Sequence, residues 1–257
     1  MKDGREEWYD AERRVAVTFV DVTSAAQALA RGHLCGPTAA HYLCEYLAAA
    51  ALLGAETGGG DETLALQLKC SGPLGGLNVE CTADGKLRGY TEKKVLDAFD
   101  GLGRPRDAAV LGKTSLQVTR SVPGRILSQG ISSSLDGYLA DSLQRKATIQ
   151  LEASVTDDVE VVEARGVMIE ELPDAKGAGA SDVAFKSLAV SARNLLGRLG
   201  LRAAELKGTA PLAFACRCSP ERAAAMLSAL SDEERAALPP AVDVTCHMCG
   251  RTFSVRR

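Results

Sequence analysis

Apolar and polar positions alternate from Arg14 to Val22, with Val15, Val17 and Phe19 set against Ala16, Thr18 and Val20. A period of two is the mark of a half-buried strand, so a first strand is expected here. Thr23 or Ser24 then caps a short helix through Arg31, and from Pro37 and Thr38 a second helix runs to Leu53, closed by Gly54. That second helix is apolar on nearly every face, with Glu45 its only charged side chain. Such a helix must be covered on all sides. Its length and its alanines suit a protein interior and are too little for a bilayer, so no membrane association is expected.

The period of two returns at Glu62–Ser71, where Leu64, Leu66, Leu68 and Cys70 share a face, and at Leu77–Thr82 after the turn Gly72-Pro73-Leu74-Gly75-Gly76. Ala83-Asp84-Gly85-Lys86 is a tight hairpin signal before Leu87–Tyr90. Residues 92–112 are irregular. Thr114–Arg120 and Ile126–Ser132 read as further strands, Ser134 caps a helix through Lys146, and Thr148–Val155 with Val159–Glu170 form a hairpin across Asp157-Asp158. Hairpins interrupted by a few helices predict an α+β fold with mostly antiparallel sheet.

Small, flexible residues from Asp174 to Ser181 predict a boundary, which places an N-terminal α+β domain at 1–173. From Asp182 to Lys207 the side chains Leu188, Ala192, Leu195 and Leu199 fall on one helical stripe, broken by Gly197 and Gly200. The expectation is a helical linker over 174–210 that is stable only when docked.

Residues 211–257 read as a small third unit built on cysteine. Cys216 and Cys218 are followed, after 27 intervening residues, by Cys246 and Cys249. Two tight pairs of thiols have the form of a structural zinc site, because Zn²⁺ takes four thiolates in a tetrahedron. The candidate metal ligands are therefore Cys216, Cys218, Cys246 and Cys249, holding one Zn²⁺ per chain. Cys246-His247-Met248-Cys249-Gly250 lies between two alternating stretches and reads as a hairpin gripped at its tip, with Gly250 free to take positive φ. The one-residue spacer of the first pair leaves its sulfurs well placed for sulfur-to-sulfur chemistry. Ser219-Pro220 and the capping box Ser231-Asp232-Glu233-Glu234 start two short helices that fold back and return the hairpin to the first pair.

Composition narrows the function. The net charge is −3, and the segment from Pro211 to Arg257 holds six Arg and no Lys against five Asp or Glu. A basic face for nucleic acid is missing from that balance. The charged start of the chain has no apolar targeting core, so a cytosolic protein with reduced thiols is expected. His33-x-Cys35 and His41-x-x-Cys44 pose the question of a second metal, but cysteine is commonly a small buried hydrophobe, and these lie in or beside the apolar helix. Cys70 is assigned to the core with its leucines, and His247 to solvent. Gly112-Lys113-Thr114 is not a phosphate loop, since Asp107 stands where the motif needs glycine, and ATP binding is not expected. With no Gly-x-Ser-x-Gly elbow and three histidines, nothing marks an enzyme.

Several stretches resemble the redox-regulated heat-shock holdase chaperones of the HslO type, the thirty-three kilodalton chaperonins. They are Leu66-Gln67-Leu68-Lys69 running into Gly72–Leu77, Asp84-Gly85-Lys86-Leu87-Arg88-Gly89-Tyr90, Leu111-Gly112-Lys113, Gly166-Val167-Met168-Ile169-Glu170, and the cysteines in the order Cys-x-Cys then Cys-x-x-Cys. The resemblance implies an N-terminal domain, a linker folded onto it and a C-terminal zinc domain. It further implies that oxidation pairs Cys216 with Cys218 and Cys246 with Cys249, releases zinc, and unfolds linker and zinc domain. The apolar surface so exposed would hold unfolding client proteins without ATP, in a form expected to be a homodimer. The competing expectation is an interaction or nucleic-acid-binding module in which zinc is a permanent structural staple without redox gating.

Overall fold

Pro37–Leu53 forms one helix, and two sheets close on it from opposite sides. The computed structural model describes residues 3–103, 106–175 and 179–256. Of the expected hinge, Lys176, Gly177 and Ala178 lie outside the described residues. The chain begins with β1 (Gly4–Asp10), β2 (Val15–Asp21), α1 (Thr23–His33) and α2 (Pro37–Leu53). It continues through β3 (Thr63–Cys70), β4 (Gly76–Thr82), β5 (Lys86–Thr91), α3 (Asp107–Val110), β6 (Thr114–Val122), β7 (Arg125–Ser132) and α4 (Leu135–Gly137). After a π-helical turn at Tyr138–Ser142 come β8 (Lys146–Val155), β9 (Val161–Glu171), α5 (Ala192–Arg198), β10 (Glu205–Pro211) and β11 (Ala213–Phe214). The last elements are α6 (Pro220–Ser228), α7 (Asp232–Ala236), β12 (Ala241–Thr245) and β13 (Thr252–Arg256).

One sheet has the order β10-β1-β2-β9-β8, the second β11-β5-β4-β3-β6-β7, and β12-β13 is a separate hairpin. Every pairing is antiparallel except β11 with β5. The α+β class with mostly antiparallel sheet is thus the fold observed. α2 touches β2, β8 and β9 on one side and β3, β4 and β5 on the other, and all of it but Pro37 and Tyr46 is buried. This explains its composition: Ala48 to Ala51 keep the two sheets close, and Leu43, Leu47, Leu52 and Leu53 fill the space between them. No helix among the described residues is long and apolar enough to cross a membrane.

Three local expectations are corrected. β1 lies in a stretch read as merely charged; neighbouring polar side chains pair along the strand, Arg5 Nε with Glu7 at 2.9 Å and Trp8 Nε1 with Glu6 at 3.0 Å. Neither Thr23 nor Ser24 caps α1. The carboxylate of Asp3 does so from outside the helix, accepting from the amides of Ser24 at 2.9 Å and Ala25 at 2.7 Å, a partner no local pattern announces. The helix expected across 182–207 is helical only at Ala192–Arg198, and Glu205–Pro211 instead pairs with β1 as an edge strand.

The leucines of that segment are nevertheless buried. Leu188, Leu195, Leu196, Leu199 and Leu201 cover the outer face of the first sheet, where Trp8, Val15, Val17, Val167 and Ile169 form a second core. Arg193 adds its guanidinium over the Trp8 ring at 4.7 Å. Polar clasps from β8 and β9 hold the backbone: Gln150 Oε1 accepts from Phe185 N at 2.7 Å, Arg165 Nη1 donates to Leu188 O at 3.2 Å, and Glu152 takes the amide of Leu188. Glu171 fastens the start of the segment. Its carboxylate accepts from the amides of Gly179 at 3.1 Å and Ser181 at 3.0 Å and from the Ser181 hydroxyl at 2.9 Å, beside Lys146 Nζ at 2.6 Å.

Burial alone would raise the Glu171 carboxyl, but Lys146, Ser181 and Gly179 together hold it down at about 2. A carboxylate depressed in the fold stabilises above its unfolded value, and that stability is lost as pH falls from about 4.5 toward about 2. Glu171→Gln should therefore cost about 2 kcal/mol at pH 7 and little near pH 2, with faster proteolysis within residues 179–204 at pH 7. Thermal unfolding at both pH values and limited proteolysis check this.

Candidate metal centre

β5 receives both halves of the cysteine cluster. Ala213 and Phe214 pair in parallel with Lys86 and Leu87, and Ala215 N donates to Leu87 O at 3.1 Å, so Cys216 leaves the sheet edge in a fixed direction. Cys218 follows, and the Ser219 hydroxyl accepts from Arg222 N at 3.3 Å to start α6. The capping box of Ser231 and Glu234 is fully formed at α7, and the chain returns through β12 to the Cys246–Gly250 turn. That turn closes on itself, with Cys246 N on Arg251 O at 2.8 Å and Gly250 N on Cys246 O at 2.8 Å.

The turn is seated on α1 and β5. Gly89 N donates to Met248 O at 3.1 Å, and Gly250 has φ 73 with its Cα so close to α1 that a Cβ would lie 2.0 Å from Gly32 O. Arg251 places its guanidinium 5.7 Å over the Phe214 ring, joining the two halves directly. His247 is exposed and meets Tyr90 edge-on at 5.9 Å.

The result is a cluster of four sulfurs, Cys216, Cys218, Cys246 and Cys249, all within 4.8 Å of one another. Cys216 Sγ lies 3.8 Å from Cys246 Sγ, and Cys218 Sγ lies 3.4 Å from Cys249 Sγ. With zinc–sulfur bonds of about 2.3 Å, the edges of a ZnS₄ tetrahedron are about 3.8 Å. The sulfurs therefore fit a four-thiolate metal ion in both number and spacing. Three of the four are half-buried and Cys249 is buried, packed against the main core.

Burial alone would raise the Cys216 thiol, but the Cys218 amide and the three neighbouring thiols bring it down to about 7. Burial and the sulfurs around it raise Cys218, and burial raises Cys249. A divalent ion would draw off the thiol protons, which couples metal binding to proton release.

The other cysteines are placed differently. Cys44 and Cys81 are buried, and desolvation raises both, Cys81 to about 12. Cys35 is buried as well and pushed up to about 11 by burial, with Thr91 beside it. His33 Nε2 meets Gly89 O at 2.9 Å and His41 Nε2 lies 3.3 Å from Glu45, so neither histidine is grouped with its sequence-neighbour cysteine. Among the described residues, the four C-terminal cysteines are the one grouping able to hold a metal.

The sequence model of the family described as Hsp33 protein matches residues 7–256. The chain belongs to the Hsp33 family. A 33 kDa chaperonin of Thermus thermophilus is 28% identical across 94% of this chain and 80% of its own length. That of a Geobacillus species is 26% identical across 95% of this chain and 90% of its own. The crystal structure of the 33 kDa chaperonin from Thermotoga maritima has the same fold, with a TM-score of 0.85 at 18% identity over 100% of this chain and 95% of that one. Hsp33 is a chaperone family, and this member carries its C-terminal cysteine cluster docked on the second sheet. The contribution of Gly32, Gly89 and Arg251 to that docking is absent from the cysteine spacing; the signal for it was Gly250, whose need for positive φ was readable but whose contact was not.

Gly250→Ala should displace the turn from α1, since its Cβ would overlap the Gly32 carbonyl. The expected result is at least 2 kcal/mol lost from this segment, in line with ~1–3 kcal/mol for strain plus overpacking, and rapid proteolysis between residues 215 and 251. Amide hydrogen exchange should show the loss at Gly89, whose donor to Met248 would be freed.

Proposed function

We propose that this chain is a redox-regulated, ATP-independent holdase chaperone whose off state is locked by one Zn²⁺ on Cys216, Cys218, Cys246 and Cys249. The observation that carries the reading is the convergence of four sulfurs from two chain segments, both seated on β5, in a member of a chaperone family. When bound, the metal supplies a cross-link between those segments and no other chemistry. The units expected from the sequence fit this scheme as an N-terminal client-binding domain over 1–173, a linker over 174–210 and a redox switch over 211–257.

Activation runs through the thiols. In each pair one thiol takes an oxygen from a peroxide to give a sulfenic acid and water. The second thiol then displaces that oxygen as a further water, so two electrons leave each pair and one disulfide forms. The disulfides proposed are Cys216–Cys218 and Cys246–Cys249. Disulfide sulfurs are poor ligands, so the cross-link is lost, and a segment whose own core is little more than Ala223, Leu227 and Val255 loses its fold. With it goes the cover on Trp8, Val15, Val17, Val167 and Ile169, an apolar face of the kind that holds unfolding proteins. The active form is read as a cytoplasmic homodimer serving in oxidative and heat stress.

Treatment of the zinc-loaded protein with peroxide at mildly raised temperature should release one zinc per chain as suppression of client aggregation appears without ATP. Reductant with zinc should reverse both. The single tryptophan, Trp8, is 6% exposed beneath the linker, so its emission should shift to the red in step with zinc release. Peptide mapping of the oxidised protein reads the disulfide pairing. Metal loss without suppression would favour a permanent structural zinc module over the gated chaperone.

A further inference from the structure

The metal reading leaves an electrostatic question. Four thiolates around a divalent ion carry a net charge of −2, and here they sit partly buried against the main core. A partly buried charge of that size calls for compensation from groups just outside the ligands. Three arginines lie near. Arg217 and Arg251 are exposed, and Arg251 spends its guanidinium on the Phe214 ring. Arg88 is different: its side chain is only 18% exposed, it stands in the middle of β5, and it lines the same cleft as Cys216.

Arg88 is also braced. It is the cross-strand partner of Glu80 on β4, with Nε 2.7 Å and Nη2 2.5 Å from Glu80 Oε2. Both residues line one cleft with Cys216. The residues on either side of Arg88 carry the backbone bonds that seat the cluster, Leu87 O to Ala215 and Gly89 N to Met248. The Arg88–Glu80 pair alone would be an ordinary cross-strand ion pair. Its position between the two seating points, in the cleft that Cys216 also lines, gives it a second use.

We propose that Arg88, oriented by Glu80, is the cation outside the ligand shell that stabilises the thiolate cluster through Cys216, so that metal retention depends on the β4–β5 pair as well as on the four cysteines. This rests on the four cysteines holding zinc. It makes Arg88 a positioning residue for the metal centre, supplied by the sheet and not by the cysteine-bearing segment.

The test is competition for zinc between the reduced full-length protein and a chromogenic chelator. Arg88→Met should lower zinc affinity about 10- to 100-fold, the usual range for losing a group that supports a metal ligand. Arg88→Lys, which keeps the charge, should recover most of that loss. The double variant Glu80→Leu/Arg88→Met leaves no charge unpaired and guards against a simple folding failure; it should lose affinity as Arg88→Met does. Affinity within twofold of the parent in both Met variants overturns the inference, as does an Arg88→Lys variant as weak as Arg88→Met. A parent chain that binds no zinc overturns the metal reading and this inference together.

Discussion

Everything C-terminal to β10 converges on four thiols, whose sulfurs lie within 4.8 Å of one another. The segment's own buried apolar side chains are Ala223, Leu227 and Val255, a core too small to order more than forty residues by the hydrophobic effect alone. Its attachments to the rest of the fold are local: the β11–β5 pairing with the Ala215 amide on Leu87, the Gly89 amide on Met248, the contact of Gly250 with Gly32, and Leu212 and Cys249 buried in the main core. Under the zinc reading proposed above, the ion would add on the order of 10–16 kcal/mol of apparent binding energy to a segment with this little core of its own. The weakness of the segment is consistent with a switch, because a well-packed domain would survive loss of its metal.

The N-terminal body is built the opposite way. α2 has no exposed face, and two sheets that would otherwise show apolar surfaces meet across it. This leaves the first sheet with a second apolar face, on Trp8, Val17, Val167 and Ile169, that α2 cannot reach. The linker covers that face with leucines and is tied down mainly by side chains of β8 and β9 bonding to its backbone. Sequence-independent backbone clasps of this kind hold an irregular chain without asking it to be a helix, which is why the segment from Ala180 to Leu188 can dock with no regular structure.

This explains which parts of the molecule were legible in the sequence. The period of two in Leu64, Leu66 and Leu68 found β3 because one face is buried and the other is not. The all-round apolarity of Pro37–Leu53 announced a helix enclosed on every side. The cysteine spacing pointed to four residues whose sulfurs the fold gathers within 4.8 Å of one another, because two close pairs need only one long-range approach to meet. By contrast, β1 and β10 were hidden: they are paired neighbours at one side of a sheet, with Arg5, Glu6, Glu7 and Lys207 showing no alternation. The stripe of Leu188, Leu195 and Leu199 named what is buried, yet a helical period also fits a chain in which only Leu195 and the C-cap residue Leu199 belong to one short helix and Leu188 docks from irregular backbone before it. Long-range partners such as Asp3 on α1 leave no trace in local pattern at all.

Cluster and linker are physically continuous, and the connection is short. β10 adds to the edge of the first sheet beside β1, β11 adds to the edge of the second beside β5, and the single residue between them, Leu212, is buried. Gly85 O receives the amide of Ala213, and the chain passes so close that a Cβ at Gly85 would meet Pro211 O at 2.2 Å. A chain held this tightly between two sheet edges transmits a pull. In the activation proposed above, once the four sulfurs no longer fix residues 216–249, the short β11–β5 ladder and buried Leu212 are what would resist peeling, and the next attachment to fail would be β10, the strand that follows α5 and its leucines. In the gated reading proposed above, loss of the cluster would reach the apolar face of the first sheet along the backbone, with no need for a conformational signal through the core around α2.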